Sequence, residues 1–393
     1  MNIKRLLTFL ILTSSVFSLS AQDVNFENGT WQDVNQKAAI TGKLIMVDAY
    51  TDWCGPCKQM DKVMFHDNPE VAELINENFI SFKIDCERNF GIDFSRKFKV
   101  SGYPSLLFFN SEGQLIDRQL GYNPEQKEFL ASIQEVIDLD PNDTYAYDAR
   151  QIRMDWPDFY YKAFRDANDT TWQFPKDVDV ASFLDEQNDL FSEISWAVMV
   201  RFELDEKTTN LFKENFGKYR KLYKKEATNK MQNILFQEVS NAGKNADEDA
   251  YKEALKDLEL YMPDEYEELS FWMEKFYFRT AKDWNGYANQ LNESIKDPNR
   301  NVSIEEVNDV AWTLYESCDD PVVLKMALGW FRPFLDNMDY YSADTYAALL
   351  FKTGNLDEAH GWANKAIEIG KADGYNTDGT TELLEMIEEK RGE

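Results

Sequence analysis

Two cysteines separated by two residues are the feature of this sequence whose types and spacing could do chemistry. Cys54 and Cys57 enclose Gly55-Pro56 and follow an apolar run at residues 44–47, so they lie where a strand is expected to pass into a helix. Unpaired N–H groups and the helix dipole favour a thiolate at a helix start, which makes the first cysteine reactive. The second cysteine lies within one turn and can resolve a mixed disulfide. The spacing therefore predicts a dithiol redox site.

A structural disulfide and half of a zinc site are the alternatives for such a pair. The sequence has no second pair of this spacing, and its only histidines are His66 and His360. The redox interpretation is therefore favoured, and the sequence predicts neither a bound metal nor a cofactor. The remaining cysteines, Cys86 and Cys318, are expected to be isolated thiols. A bridge between them, or a regulatory role for Cys86, is the alternative.

The composition and length indicate which classes of partner and how many domains to expect. The 393 residues include 71 acidic and 42 basic ones, and no extended basic patch interrupts the net charge of −29. Nucleic acid is therefore not an expected partner. The length exceeds what one core usually fills, and 43% hydrophobic residues are typical of a folded chain, so about two domains are expected.

Residues 1–21 have the pattern of a secretory signal peptide. Lys4 and Arg5 precede an apolar run at residues 6–12, and the segment ends at Ala21. An uncleaved anchor is the alternative, and no later stretch is long enough to span a bilayer. We therefore expect an exported protein, in the periplasm or another extracytoplasmic location, without stable membrane insertion once the signal is removed.

Residues 22–140 alternate between strand and helix patterns, which is typical of a mixed or parallel sheet with helices on its faces. The fold class predicted for this part is therefore α/β. Strands are predicted at 44–49, 80–85, 105–110 and 114–121, the last two as a hairpin. Helices are predicted at 31–40, 55–63, 70–78, 90–98 and 124–137.

Three separated motifs in this part resemble the thioredoxin superfamily. They are the segment at 47–50 that contains Asp48, the motif Trp53-Cys54-Gly55-Pro56-Cys57-Lys58, and the segment at 100–109 that contains Pro104. The resemblance covers about residues 24–140 and implies the thioredoxin fold. The stretch at 64–71 resembles an exported branch that is similar to the C-terminal domain of transmembrane thiol:disulfide interchange proteins.

The resemblance implies a role for each residue of the redox site. Cys54 would be the exposed nucleophile that attacks a substrate disulfide, and Cys57 the thiol that resolves the mixed disulfide. Asp48 would be the buried carboxylate whose pKa rises on desolvation, so that it exchanges protons with Cys57. A solvated position at the strand end is the alternative for Asp48.

The resemblance also implies a substrate-binding loop beside the dithiol. Pro104 would follow a cis peptide bond, which lets the Tyr103 backbone bind substrate as a strand does. Trp53 and Tyr103 would form an apolar rim, with simple packing as the alternative for either. The implied substrate-binding residues are Trp53, Gly55, Pro56, Tyr103, Pro104 and Gly121.

One position departs from the pattern of the superfamily. Many thioredoxins carry a lysine on the third strand that pairs with the buried carboxylate, and Ser81 occupies the corresponding position here. Lys83 lies two residues later on the same face of the strand. Lys83 is therefore the candidate partner of Asp48.

Beyond the polar joint at residues 138–143, almost all of the sequence has the pattern of helices. Helices are predicted at 183–202, 208–225 and 229–242, with a loop at 169–179. From about residue 229 the helices are expected to come in pairs, because alanines recur at intervals of 34, 39 and 32 residues. The recurring alanines are Ala254, Ala288, Ala327 and Ala359.

This spacing favours tetratricopeptide-like repeats, with an irregular helical bundle as the alternative. The tryptophans of these helices are expected in the core, namely Trp272, Trp284, Trp312, Trp330 and Trp362. The predicted organisation is a signal peptide at 1–21, a thioredoxin-like domain at 22–140, a helical connecting region at 141–228 and tetratricopeptide-like repeats at 229–393.

The function expected from these features is an exported thiol-disulfide oxidoreductase that reduces protein disulfides. The helical domain would bind or position the client. The implied partners are disulfide-containing proteins and an upstream electron donor, for example a membrane thiol:disulfide interchange protein. The alternatives are a disulfide isomerase or oxidase, or a protein-binding scaffold whose dithiol has little function.

Overall fold

The structure of the protein is a computed structural model that describes residues 23–66, 68–148 and 150–392. The predicted signal peptide lies outside the described residues. The chain divides into two compact units, the first ending at Met231 and the second beginning at Gln232. Among the described residues, no helix has both the length and the apolar character needed to cross a membrane.

A four-stranded mixed sheet forms the centre of the first unit. Its strands are β1 (Leu44–Tyr50), β2 (Phe79–Asp85), β3 (Ser105–Phe109) and β4 (Leu115–Leu120), in the order β2-β1-β3-β4. β2 runs parallel to β1, whereas β3 runs antiparallel to both β1 and β4. The predicted α/β class is therefore confirmed. Residues 45–49 of β1 are all buried, Asp48 among them, because neighbouring strands and helices cover the middle of the strand.

Five helices belong to this sheet. They are α1 (Trp31–Thr41), α2 (Gly55–Met60), α3 (Pro69–Asn78), α4 (Phe90–Phe98) and α5 (Gln126–Ile137). Thr30 caps α1 through a reciprocal pair of hydrogen bonds with Asp33, so the sequence itself specifies where this helix begins. One face of the sheet packs on α3 and α5 through Met46, Leu106 and Phe108.

The predicted helix at 55–63 is wrong in its second half. The α-helix ends at Met60, and Asp61–Phe65 forms a π-helical turn. A π turn adds one residue to the hydrogen-bonded ring, so it turns the following side chains to a new direction. The fifth helix also begins at Gln126 rather than at residue 124.

The prediction that almost all of the sequence after residue 140 is helical is wrong for residues 141–168, whose described part contains one helix of five residues, whereas the predicted loop at 169–179 is confirmed. The helices between residues 141 and 245 are α6 (Asp158–Lys162), α7 (Val180–Asp185), α8 (Glu193–Arg201), α9 (Glu206–Glu214) and α10 (Phe216–Asn245). The predicted helix at 183–202 is broken because the Ser192 side chain accepts a hydrogen bond from the Ser195 N–H and starts a new helix. Inside α10, Lys224 has a non-helical backbone with φ of 46°.

A buried charge cluster joins residues 141–231 to the sheet, and we call it the Glu226 cluster. Glu226 pairs with Arg118 of β4, lies 3.9 Å from Lys99, and accepts hydrogen bonds from the Tyr147 hydroxyl and the Trp196 indole. Burial raises the pKa of Glu226, but the charges of Lys99 and Arg118 outweigh burial and the net shift is downward. Burial lowers the pKa of Lys99 to about 8. The connecting region therefore packs in the same unit as the sheet.

The second unit is helical throughout the residues described, which confirms an all-α region after the α/β fold. Its helices after α10 are α11 (Glu248–Tyr261), α12 (Tyr266–Ala281), α13 (Trp284–Lys296), α14 (Ile304–Ser317), α15 (Pro321–Trp330), α16 (Tyr340–Lys352), α17 (Leu356–Ala372) and α18 (Asp378–Arg391). The four recurring alanines are buried and lie on alternate helices: α11, α13, α15 and α17.

The expectation that the tryptophans of the second unit lie in the core holds only in part. Trp330 is 5% exposed, whereas Trp272 is 45% and Trp312 is 37% exposed. Lys275, one turn after Trp272, holds its ammonium 5.2 Å from the Trp272 ring, so that indole lies on a charged face of α12. Helical spacing alone did not separate the buried from the exposed indoles.

Candidate redox site

Cys54 and Cys57 are joined by a disulfide at the start of α2. Cys54 is the residue that caps this helix, and its sulfur accepts a hydrogen bond from the Cys57 N–H at 3.0 Å. The two Cα atoms lie 5.3 Å apart. A thiolate at this position would meet the same N–H group and the positive end of the helix dipole. Pro56 fits the first turn because an N–H is not needed there.

The disulfide is more deeply buried than the sequence suggested. Cys54 is 2% exposed and Cys57 is 5% exposed, so the prediction of an exposed Cys54 is wrong for the oxidised form. Cys54 borders a cavity of about 410 Å³, whose walls include the side chains of Tyr103, Phe164 and Trp172. We call this space the Cys54 cavity. Residues well after the sheet, among them Phe164 and Trp172, form one wall of this cavity.

The predicted rim residues pack against each other at the cavity. The rings of Trp53 and Tyr103 meet edge to face with centroids 5.9 Å apart, and Trp53 is 59% exposed. The Trp53 indole N–H donates to Glu87 at 2.9 Å, and Arg165 lies 3.7 Å from the same carboxylate oxygen. Sequence reasoning missed Glu87, which is 5% exposed, because nothing in the local pattern after β2 distinguishes it.

The loop before β3 has the geometry that the resemblance implied. The Tyr103–Pro104 peptide bond is cis. Gly121 follows β4, and its N–H donates to the Pro104 carbonyl at 2.8 Å. Gly121 has φ of +75°, a left-handed conformation that favours glycine. The sequence thus brings Pro104 and Gly121 to the same end of the sheet, near the cysteine pair.

Asp48 lies on β1, directly opposite Lys83 of β2 in the strand register. Its carboxylate is 2% exposed, and one oxygen is 3.8 Å from the Lys83 ammonium. The other oxygen has no hydrogen-bond partner among the described residues. Burial raises the pKa of Asp48 to about 7, the Lys83 charge opposes this shift, and the Asp61 charge adds to it. Asp48 is therefore a buried group that changes charge near neutral pH.

Asp61 is the second residue that the sequence reasoning missed. It begins the π turn and forms a close ion pair with Lys83, so Lys83 is shared between Asp48 and Asp61. His66 lies 3.4 Å from the other oxygen of Asp61. Asp61 lies four residues after Cys57, which is one turn of a helix. This spacing was a signal in the sequence that could have placed Asp61 near the dithiol.

The other cysteines have no bond to each other. Cys86 and Cys318 are both free and buried, so the alternative of a bridge between them is wrong. Burial raises the pKa of Cys86 to about 12, and its S–H donates to the Ile84 carbonyl at 3.7 Å. A thiol of this kind is mostly protonated at neutral pH and reacts slowly.

Residues 31–137 match the family model of a thioredoxin-like domain. The first unit contains a thioredoxin-like domain. The Cys54–Cys57 disulfide, the cis bond before Pro104 and Asp48 all lie inside the matched residues of this domain.

Curated relatives of the domain include two thiol:disulfide interchange proteins named DsbD. The protein of Pseudoalteromonas atlantica is 36% identical over 87 residues, which are 21% of this chain and 15% of that protein. The protein of Tatumella citrea is 33% identical over 130 residues, which are 32% of this chain and 22% of that protein. The chain thus spans less than a quarter of the length of these relatives.

A solved structure is similar over the same region. The solution structure of a provisionally named disulphide-isomerase from Bacteroides thetaiotaomicron has 32% sequence identity, covers 31% of this chain and 98% of that chain, and gives a TM-score of 0.28. The matched domain, the Cys54–Cys57 disulfide and the relatives named as interchange proteins together support a thiol-disulfide oxidoreductase.

Proposed function

We propose that the protein is an exported thiol-disulfide oxidoreductase that reduces disulfides in client proteins. The observation that carries the proposal is the Cys54–Cys57 pair, with Cys54 capping α2 and bordering an open cavity. A purely structural disulfide would need neither a helix start nor a cavity beside its first sulfur. The likeness to proteins named for thiol:disulfide interchange supports the same chemistry.

The proposed reaction moves two electrons from the reduced pair to the client. The Cys54 thiolate attacks a client S–S bond, a new S–S bond joins Cys54 to the client, and one client sulfur leaves as a thiolate that takes a proton. The Cys57 sulfur, once deprotonated, then attacks Cys54. The Cys54–Cys57 disulfide forms, and the second client sulfur leaves. An upstream dithiol donor must restore the reduced pair.

Asp48 is the proposed proton acceptor for Cys57. A carboxylate whose pKa is about 7 exists in both charge states near neutral pH, so it can take a proton in one half of the cycle and return it in the other. The charges of Lys83 and Asp61 would adjust the pKa of Asp48 and so the ease of this proton transfer. Asp48 is thus proposed as a group that controls the rate at which Cys57 closes the disulfide.

We also propose that the second unit binds or positions the client through tetratricopeptide-like repeats. The buried alanines on alternate helices support this arrangement, since small residues let paired helices approach closely. A cavity of about 700 Å³ lined by residues of α12 and α13 lies in this unit. Arg300 borders the cavity, and its guanidinium lies 3.8 Å from the Phe271 ring centre.

The proposal also includes export of the protein and the boundaries of its domains. The signal-like residues 1–21 support a periplasmic or other extracytoplasmic location, where a membrane thiol:disulfide interchange protein is the proposed electron donor. The proposed domains are the signal at 1–21, the thioredoxin-like domain at 22–140, the connecting region at 141–228 and the repeats at 229–393.

The test is disulfide turnover by the reduced protein. We expect it to reduce a disulfide-bonded protein such as insulin, to lose this activity in Cys54→Ser, and to stall as a mixed disulfide on Cys54 in Cys57→Ser. Cys318→Ser is the matched control and should keep the activity. No thiol exchange with any disulfide would refute the proposal.

The reduction potential separates reductase from oxidase. A reductant should lie near the thioredoxin value of about −270 mV, whereas a strong oxidant lies near about −120 mV. Equilibration of the dithiol with glutathione buffers, read by mass after alkylation, gives the value for this protein. A potential close to that of the oxidant would assign the opposite direction of electron flow.

A further inference from the structure

One wall of the Cys54 cavity comes from outside the thioredoxin-like domain. Besides Phe164 and Trp172, this wall includes Arg165 and Arg201. Cys54 is almost fully buried and borders this cavity, so a disulfide that reaches it through the cavity passes this wall.

The wall is fixed to the domain by hydrogen bonds. The Ala167 N–H donates to the Glu87 carbonyl at 2.9 Å, and the Tyr160 hydroxyl donates to the Arg96 carbonyl at 2.8 Å. The Glu226 cluster holds the following helices to β4. The wall is therefore a structural part of the first unit, and its side chains have defined positions beside Cys54.

Arg201 is a partly buried cation without a carboxylate partner among the described residues. Its guanidinium lies between the rings of Phe164 and Phe174, with centroids 4.7 and 4.9 Å away, and donates to the Ala163 carbonyl. Its Nε is buried and has no hydrogen-bond partner in the described part of the chain. Desolvation lowers the pKa of Arg201, which is the cost of holding this charge away from water.

The charges that line the Cys54 cavity do not cancel. Glu87 already accepts the Trp53 indole N–H and faces Arg165, so its charge is matched within the wall. Arg201 adds a second positive charge, although the chain as a whole is strongly acidic. Arg201 also borders a neighbouring cavity of about 440 Å³, which is lined by Asp177 and Glu203 as well. Neither carboxylate forms an ion pair with it within 4 Å.

We propose that the Cys54 cavity is a specificity site that takes an acidic side chain next to the disulfide cysteine of a client. Arg201 would bind the client carboxylate, and the rings of Phe164 and Trp172 would contact the aliphatic part of that side chain. A guanidinium that has no carboxylate partner and lies among aromatic rings matches a carboxylate better than it matches a neutral group. This inference rests on the proposed reductase activity and adds the class of client to it.

The test uses pairs of disulfide peptides that differ only by Glu or Gln beside the cysteine. With reduced wild-type protein at low salt, we expect the Glu peptide to react about tenfold faster, as for a charge-assisted hydrogen bond. Each rate is divided by the rate of the same protein on hydroxyethyl disulfide, a small neutral substrate. Arg201→Gln should lose the preference, and Arg201→Lys should keep part of it.

Arg150→Gln is the matched control, because Arg150 lies in the same region but is exposed. It should keep the full preference. Equal rates for the Glu and Gln peptides with the wild type, or a faster reaction of the Gln peptide, would overturn the specificity site while leaving the reductase proposal intact. Failure to reduce hydroxyethyl disulfide as well as both peptides would overturn the reductase proposal itself.

Discussion

Asparagine in place of Asp48 should remove a pH dependence of stability that the wild type has. Burial raises the pKa of Asp48 from 3.8 to about 7, so the folded state holds this proton more tightly than the unfolded state does. The wild type therefore loses stability as the pH rises from about 4 to about 7, and the loss is complete above that range. A pKa difference of about 3 between the folded and unfolded states, at about 1.4 kcal/mol per pKa unit, corresponds to about 4 kcal/mol of unfolding free energy.

We expect the unfolding free energy of Asp48→Asn, relative to the wild type, to rise by about 4 kcal/mol between pH 4 and pH 8. Both oxidised proteins are equilibrated in urea and given a brief pulse of a thiol reagent that reacts across this pH range. Cys86 is buried in the first unit and Cys318 in the second, so labelling at each site reports the unfolding of its own unit.

Two results would refute this reasoning about Asp48. One is a difference between Asp48→Asn and the wild type that stays flat from pH 4 to pH 8, and the other is a difference that falls. Asp52→Asn is the matched control, because Asp52 is an exposed carboxylate near the same site. The control should follow the wild type at every pH. The Cys318 signal should not distinguish the three proteins.

Three further predictions concern the packing around the site. Glu226→Gln should cost about 3–5 kcal/mol in urea unfolding read at Cys86, since it leaves buried cations unpaired, whereas Asp185→Asn, which removes an exposed ion pair of the same unit, should leave the midpoint in place. In the folded, reduced protein at pH 8, alkylation mapped by mass spectrometry should modify Cys54 long before Cys86, because Cys54 caps α2 and borders a cavity whereas burial raises the pKa of Cys86 to about 12. Equal rates at the two sulfurs would contradict this difference in reactivity. Gly121→Ala should lower the unfolding free energy by about 1 kcal/mol in the same assay, because alanine disfavours the left-handed backbone of Gly121. An unchanged unfolding free energy would contradict this.

The sequence predicts the thioredoxin-like part well because its signals are local. The apolar run at β1, the cap at Thr30 and the proline at the start of α3 each specify an element within a few residues. Every strand and helix of the sheet was predicted within about two residues, apart from the second half of the helix that follows Cys54. The spacing of the cysteines was likewise enough to expect the disulfide.

The features that sequence reasoning missed depend on hydrogen-bond choices and on contacts between distant residues. A π turn at Asp61–Phe65 and an α-helix share the same apolar spacing, so the pattern cannot select between them. The sequence named Lys83 as the candidate partner of Asp48, but the strand register that places the two residues opposite each other is not specified by a single strand. The break between α7 and α8 depends on a serine cap inside a sequence that otherwise suits a helix.

The wall of the Cys54 cavity also depends on contacts between residues that are distant in the sequence. The cysteines, Asp48 and Pro104 belong to one domain with local motifs, so their chemistry can be expected from their types and spacing. Arg201 reaches the same cavity only because Glu226 and its partners hold α8 and α10 against the sheet. Substitutions on this wall can therefore change which client fits without altering the dithiol, and we expect selectivity to change there more readily than the redox chemistry does.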